Sequence, residues 1–266
     1  MQRSELLAAL DLPNWRLRSR AAVADTAEDV EEAPPGDAFV VDQGVPVDRP
    51  NSRNSAPIAA PVVSVAAPSL SAAPSVAVPE GDSWEALESE IAACRACGLC
   101  SLRKQTVPGA GDREADWLFV GEGPGPEEDE QGEPFVGQAG HLLDAMLASI
   151  NLKRGQNVFM ANAVKCRLPG NRMPDASEIA ACRPFLNRQI ALLKPKVIVA
   201  LGRAGALALL DKDETLSSQR NKLADRQGVP VVVTYHPAYL LRTPLDKFKA
   251  WEDLCLARST HKSLSH

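Results

Sequence analysis

The chain has 266 residues, with 29 Lys and Arg against 34 Asp and Glu, and a formal net charge of −5 at pH 7. No apolar run approaches the roughly 20 residues of a membrane-spanning helix, so we expect no membrane association. Six cysteines without a recognisable secretory signal argue against a disulfide framework. They predict a reducing compartment such as the cytoplasm.

The first third of the chain differs in composition from the rest. Residues 1–23 predict a short amphipathic segment, which is either a frayed terminal helix or a docking peptide for a protein partner. Residues 24–82 are rich in Ala, Pro and Ser and have neither helical nor strand periodicity. Such a composition buries too little apolar surface to offset chain entropy, so we expect a disordered linker. The folded domain is then predicted over residues 83–260.

Four cysteines form two pairs, Cys94 with Cys97 and Cys166 with Cys182. The first pair is a Cys-x-x-Cys, whose two thiolates can reach one metal centre, and the fold could bring the second pair to complete a four-sulfur site. Cys100 makes a further Cys-x-x-Cys with Cys97, so spacing alone leaves the ligands open, and zinc is as compatible as a cluster. A sixth cysteine, Cys255, is expected to be a buried small hydrophobe.

Apolar, mostly β-branched runs alternate with helix-like segments through the folded part. The predicted strands are Trp117–Val120, Val158–Val164, Val197–Leu201 and Val229–Thr234. The predicted helices are His141–Ile150, Ser177–Leu193, Ala204–Leu210 and Lys247–Ala257. This alternation predicts an α/β fold, with a central four-stranded parallel sheet in a three-layer α/β/α arrangement.

Distinctive polar and glycine-rich segments follow these strands. They are Gly121–Gly125, Asn162 with Lys165, Gly202 with Arg203, and His236–Tyr239. Ligands of open parallel sheets bind outside the carboxyl ends of the strands, so these segments are expected to share one cleft. The segments 94–113 and 153–203 are basic despite the acidic total, which is compatible with phosphate binding.

The glycine-rich segment Gly121–Gly125 is neither a dinucleotide fingerprint nor a P-loop, and a tight turn alone would explain its glycines. It continues into a long loop with one aromatic residue, Phe135, between proline and glycine. An aromatic ring on such a loop can stack on a flat ligand, although it could equally be a hydrophobic plug.

Asn162 and His236 end two strands and can each form directional hydrogen bonds. The amide of Asn162 matches the polar edge of a pyrimidine, or it binds its own turn. His236 precedes a proline and can direct a hydrogen bond at developing charge, or it is structural. The residues that follow are Leu240, Leu241 and Arg242. Their apolar side chains could insert into a base stack while the arginine binds phosphate, or they could form the first turn of a helix that packs on the core.

Three spaced motifs together resemble those of the family 4 uracil-DNA glycosylases, the iron–sulfur members of the uracil-DNA glycosylase superfamily. Gly121–Gly125 with Glu128, Asp129 and Pro134–Gly137 resembles the first motif. Asn162–Arg167 with Gly170–Arg172 resembles the uracil-recognition strand, and His236–Arg242 resembles the second motif. The resemblance covers the chain from about Trp84 to Ala257.

The resemblance implies a DNA repair enzyme that flips deoxyuridine out of DNA and hydrolyses its N-glycosidic bond, leaving an abasic site. The implied substrate-binding residues are Gly121, Gly123, Phe135, which stacks on uracil, and Asn162, which reads its polar edge. The implied catalytic residues are His236, which stabilises charge on the uracil, and Glu122, which positions water or contacts the base. The implied DNA contacts are Leu240, Leu241, Arg242, Lys165 and Arg172.

The resemblance also implies a [4Fe–4S] cluster on Cys94, Cys97, Cys166 and Cys182, with zinc as the less favoured metal, and a monomer acting on uracil-containing DNA. In the best-known branch of the superfamily an aspartate occupies the place of Gly123, so the water-positioning residue is the weakest part of the match. The alternative is an iron–sulfur protein that binds uracil or abasic DNA without turnover or traps it covalently. Trapping is disfavoured because segment 168–174 is short and lacks a histidine.

Overall fold

The computed structural model describes residues 82–265. The predictions of an amphipathic segment at 1–23 and of a linker at 24–82 lie outside the described residues, except for Asp82. The carboxylate of Asp82 accepts two hydrogen bonds from Arg188, at 2.9 and 2.6 Å. None of the helices among residues 82–265 has the length and apolar composition to cross a lipid bilayer.

A six-stranded mixed sheet organises the described residues. Its strands are β1 (Ala110–Gly111), β2 (Trp117–Gly121), β3 (Val158–Asn162), β4 (Val197–Leu201), β5 (Leu223–Arg226) and β6 (Val229–Thr234), in the order β1-β3-β2-β4-β6-β5. The four central strands are parallel, whereas β1 and β5 pair antiparallel at the two edges. All four central strands carry apolar side chains toward both faces of the sheet, as a doubly covered parallel sheet requires.

Helices cover both faces of this sheet. They are α1 (Trp84–Ala93), α2 (Pro126–Gln131), α3 (Gln138–Ser149), α4 (Ala176–Leu193), α5 (Gly202–Leu210), α6 (Leu216–Gln219), α7 (Pro237–Arg242) and α8 (Lys247–Leu264). Short 3₁₀ turns lie at Gly98–Ser101, Pro169–Asn171 and Pro244–Asp246. One apolar layer joins α4 and α5 to the sheet, and a second joins α3 and α8 to the opposite face. The predicted three-layer α/β/α architecture is confirmed.

The prediction of four parallel strands is wrong in number, because two antiparallel edge strands were missed. β5 has the sequence Leu-Ala-Asp-Arg and is partly exposed, so it lacks the apolar pattern that marks a buried strand. It forms a hairpin with β6 through Gln227 and Gly228, which both have positive φ angles, 54° and 87°. β1 has only two residues and therefore no periodicity to detect.

The predicted second strand, Val158–Val164, is two residues longer than the observed strand β3. β3 ends at Asn162, yet two further backbone hydrogen bonds continue its pairing with the β2 loop. Ala163 N–H donates to the Gly121 carbonyl at 2.9 Å, and Val164 N–H donates to the Glu122 carbonyl at 3.1 Å. These bonds fix the loop after β2 against the loop after β3, at the carboxyl edge of the sheet.

Candidate active site

Two predicted site residues, Phe135 and Asn162, meet at a third, Gly121, which lies at the carboxyl end of β2. Gly121 is the register partner of Asn162 on the neighbouring strand β3. A Cβ atom at Gly121 would lie 2.4 Å from Cζ of Phe135 and 2.6 Å from Oδ1 of Asn162. Only glycine fits between these side chains, because any larger residue would clash with both. The structure therefore brings the aromatic ring and the side-chain amide together as the sequence predicts.

His236 joins this group from the carboxyl end of β6. Its ring centroid lies 6.0 Å from that of Phe135, with an angle of 31° between the planes. Gly202, at the end of β4, packs against it, since a Cβ there would lie 3.0 Å from Cβ of His236. The carboxyl ends of four parallel strands thus converge on one site, which is the location expected for a ligand in an open α/β sheet.

The protonation state of His236 follows from its position as the N-cap of α7. Its Nδ1 accepts a hydrogen bond from the Ala238 backbone N–H at 3.2 Å, so the proton of the neutral ring resides on Nε2. Burial lowers the pKa of His236 to about 4, and the positive charge of Arg242 acts in the same direction. At neutral pH the residue is therefore an uncharged imidazole that can donate a hydrogen bond from Nε2.

Phe135 is buried and has a left-handed backbone conformation, with a φ of 57°. Glu128 holds the chain after it, because its Oε1 accepts hydrogen bonds from the N–H groups of Val136 and Gly137, at 3.0 and 3.1 Å. Its Oε2 accepts from Gly125 N–H at 3.0 Å. Glu128 had no predicted role of its own, although its place three residues after Gly125, at the start of a helix, is a capping signal.

Glu122 and Gly123 follow in the same loop. Glu122 is partly buried, and its burial raises the pKa of the carboxyl group, while the charge of Arg242 acts in the opposite direction. At Gly123 a Cβ would lie 2.8 Å from Cγ2 of Val164 and 3.0 Å from Cδ1 of Leu168. An aspartate at this position would require these side chains to move, and Glu122 is the acidic residue of segment 121–125.

The exposed end of α7 carries one leucine, not two. Leu241 is 43 % exposed and Arg242 is also exposed, whereas Leu240 is 1 % exposed and belongs to the apolar core with residues of α3 and α8. The prediction that Leu240 contacts DNA is therefore corrected, because its side chain points into the protein. A helical turn places neighbouring residues on different faces, so only one of the two leucines can face outward.

Lys165 also turns inward, which corrects its prediction as a DNA contact. Its ammonium group is buried and donates to the Asn162 carbonyl at 2.9 Å and to Oε1 of Gln189 at 2.6 Å. Burial lowers the pKa of this lysine to about 8. Arg172 stays at the surface, where it forms two hydrogen bonds with the Glu178 carboxylate, at 2.8 and 2.6 Å.

Five cysteines line one small cavity beside β3 and α4. They are Cys94, Cys97, Cys100, Cys166 and Cys182. Arg103 also lines it, and its guanidinium donates to Sγ of Cys166 at 2.9 Å and to the Cys94 carbonyl at 2.9 Å. Burial raises the pKa of Cys166, and raises that of Cys182 to about 11.

The spacing of the cysteines determines neither which of them bind a metal nor whether Cys255 is buried. As placed, no three cysteine, histidine or acidic side chains between residues 82 and 265 could together hold a metal ion. Cys255 is exposed on α8, so the prediction that it is a buried small hydrophobe is wrong. The contact of Arg103 with the cysteines was not predicted, since Arg103 appears in the sequence only as one of several basic residues in segment 94–113.

Comparison with known proteins gives one family for this chain. A family model described as the uracil DNA glycosylase superfamily matches residues 108–255. The chain is 41 % identical to a type-4 uracil-DNA glycosylase of Pyrobaculum aerophilum over 181 residues, which cover 64 % of this chain and 90 % of the relative. It is 42 % identical to the type-4 enzyme of Archaeoglobus fulgidus (61 % and 85 % covered) and 40 % identical to that of Thermotoga maritima (66 % and 93 % covered).

Proposed function

The chain belongs to the uracil-DNA glycosylase superfamily, and we propose that it is a DNA repair hydrolase that cleaves the N-glycosidic bond of deoxyuridine in DNA. The observation that carries the proposal is the convergence of Phe135, Asn162 and His236 around Gly121. This arrangement offers an aromatic face, a directional amide and a neutral donor at one point, and a flipped pyrimidine needs all three.

In this mechanism the protein first binds the extrahelical base. The ring of Phe135 stacks on the flat face of uracil, while the side-chain amide of Asn162 pairs with its polar edge. Because cytosine carries an exocyclic amino group where uracil carries a carbonyl, an amide fixed in one orientation distinguishes the two bases. The buried Lys165 supports this reading, since its ammonium binds the backbone carbonyl of Asn162 and helps to fix that residue.

Bond cleavage leaves the electron pair of the C1′–N1 bond on uracil, whose carbonyl oxygens then carry negative charge. His236 donates a hydrogen bond from Nε2 to this developing charge. A fixed donor of this kind contributes about 10²–10³ in rate. Water, positioned by the carboxylate of Glu122, adds to the sugar at C1′, and the proton that the water loses is taken up by the uracil anion. The products are free uracil and an abasic site.

DNA contacts are proposed for the exposed residues of the same edge. Leu241 fills the space that the flipped nucleotide leaves in the stack, and Arg242 and Arg172 bind phosphate. An inserted apolar side chain offsets part of the cost of unstacking, which is a few kcal/mol per step. We expect the protein to act as a monomer, since one copy of the described residues supplies every group in this mechanism.

A [4Fe–4S] cluster is proposed in the cysteine cavity, held by Cys94, Cys97, Cys166 and Cys182. The donor set supports it, because these four thiols line one pocket and a thiol ionises when it binds a metal, and Arg103 already donates to one sulfur. The cluster would tie the segment before β1 to β3 and α4 and has no electron to supply to a hydrolysis. Brown protein with iron and acid-labile sulfide supports this assignment, and stoichiometric zinc overturns it.

The decisive experiment is a glycosylase assay on oligonucleotides that contain one deoxyuridine, single- and double-stranded. Alkali-labile sites at the uracil position are the expected result, and matched oligonucleotides with cytosine or thymine give the background. If the protein binds both substrates without cleaving them, it is a DNA-binding protein and not a glycosylase. A DNA–protein adduct that survives denaturation would instead indicate covalent trapping.

A further inference from the structure

The backbone at Phe135 has a conformation that its side chain disfavours. A φ of 57° lies in the left-handed region, which glycine adopts freely and a bulky aromatic residue adopts rarely. Such a conformation persists only where neighbouring groups hold it, and it is frequent at ligand sites. The groups that hold Phe135 therefore determine where its ring lies.

Hydrogen bonds hold this segment from two sides. Glu128 accepts from the N–H groups of the two residues that follow Phe135. Arg154 holds the carbonyl side, because Nη1 donates to the Pro134 carbonyl at 3.0 Å and Nη2 donates to the Phe135 carbonyl at 2.7 Å. The first turn of α3 presses on the same peptide, since a Cβ at Gly140 would lie 1.7 Å from the Phe135 carbonyl oxygen.

A third donor of the guanidinium fixes its orientation. Nε of Arg154 donates to Oδ1 of Asp144 on α3 at 2.9 Å. The planar fork thus bridges helix α3 and two consecutive carbonyls of the loop, a geometry that the single ammonium of a lysine cannot reproduce. Arg154 itself lies in the turn between α3 and β3. Two of its three hydrogen bonds hold the carbonyls of Pro134 and Phe135, so we expect it to act on the base through the ring of Phe135.

We propose that Arg154 is a positioning residue for uracil excision: it holds Phe135 in its left-handed conformation and so sets the plane on which the base stacks. This role rests on the function proposed above. Without the two bonds from Arg154, the Pro134–Phe135 peptide can rotate toward an ordinary conformation. The ring then leaves the plane that faces Asn162 and His236. Asp144 has a weaker, indirect part, because it orients Arg154 without touching the loop.

The test is a double-mutant cycle between Arg154 and Phe135, measured as single-turnover rates with enzyme in excess over uracil-containing DNA. R154M, which keeps an apolar stem and removes every donor, is expected to slow cleavage tenfold or more while DNA affinity changes less than threefold. R154K is expected to be intermediate, and D144N to slow cleavage less than R154K does. In the F135A background, R154M is expected to change the rate less than twofold, because the ring that it positions is gone.

R113M is the matched control, since Arg113 is a surface arginine that pairs with Glu85 and Glu88 on α1, away from the site. Its rate is expected to equal that of the wild type, whereas its melting temperature decreases slightly because two surface ion pairs and a contact with the Trp84 ring are lost. If R154M does not fold, R154K in the two backgrounds gives the same cycle. The proposal is overturned if R154M slows cleavage equally with and without Phe135, or does not slow it at all. The proposed function is unaffected by either result as long as the wild type turns over. A wild type without turnover removes both.

Discussion

Replacing His236 with alanine removes two hydrogen bonds that have different roles. Nδ1 accepts from Ala238 N–H and caps helix α7, whereas Nε2 is the donor proposed for the departing uracil. The first bond contributes to the stability of the fold, and the second is proposed to stabilise the transition state. A variant that keeps one of them separates these effects. H236N is suited to this, because asparagine is a good N-cap but its side chain is too short to reach as far as the imidazole Nε2.

The expected magnitudes differ between the two bonds. Loss of a fixed donor to developing charge costs about 10²–10³ in rate, or about 3–4 kcal/mol. Loss of an N-cap costs about 1 kcal/mol of stability, which lowers the melting temperature of a domain of this size by about 2–4 °C. Because the pKa of His236 is about 4, only about one molecule in a thousand carries an imidazolium at pH 7. The donor is thus neutral in nearly all of the enzyme.

Single-turnover rates and DNA affinities measured by fluorescence anisotropy test this reasoning. H236A is expected to lose about 10²–10³ in rate, with less than a threefold change in DNA affinity and a small decrease in melting temperature. H236N is expected to recover the melting temperature but not the rate. His141, exposed on α3, provides the control H141A, which is expected to match the wild type. Equal losses of rate and affinity in H236A, or full activity in H236N, would refute the assigned role.

Four further substitutions test the other parts of the site. The raised pKa of Glu122 predicts that the rate falls as pH decreases through a value above the usual 4.5 of a glutamate, because the carboxylate is then protonated; E122Q is expected to be slow and to lack this acid limb in a pH–rate profile. C182S is expected to lose most of its iron and acid-labile sulfide on metal analysis, whereas C100S retains them; the reverse result would exchange the ligand assignment. L241A is expected to slow cleavage of double-stranded more than single-stranded substrate at unchanged melting temperature, since its side chain is exposed; equal slowing on both would exclude a wedge.

The buried central strands could be predicted from the sequence, whereas the edge strands of the sheet could not. β2, β4 and β6 are apolar runs whose side chains are buried on both faces, so their composition alone indicates a central strand. β5 pairs through its backbone and has the polar sequence of an edge, so nothing distinguishes it from a loop. Backbone pairing of a partly exposed strand depends on its neighbour and on the turn at Gln227–Gly228, and these are properties of tertiary structure.

The same limit applies to the DNA-facing residues. Lys165 and Leu240 lie in motifs whose composition suits nucleic-acid contact, yet both side chains point inward. The direction of a side chain after a strand end depends on the path of the loop, which no short motif determines. The positions where glycine is required, Gly121 and Gly123, were recognisable as a motif, but their reason is the close packing of Phe135, Asn162 and Val164 from elsewhere in the chain.

Arg242 connects the electrostatics of the two catalytic candidates. Its positive charge lowers the pKa of His236, and it also opposes the rise in the pKa of Glu122 that burial causes. The first effect favours the neutral imidazole, and the second favours the carboxylate. Both protonation states are those that the proposed mechanism requires. A phosphate bound to Arg242 would weaken both effects by partial neutralisation, so the guanidinium sets these states most strongly before DNA is engaged. Burial keeps His236 neutral afterwards, because it is the larger cause of the lowered pKa.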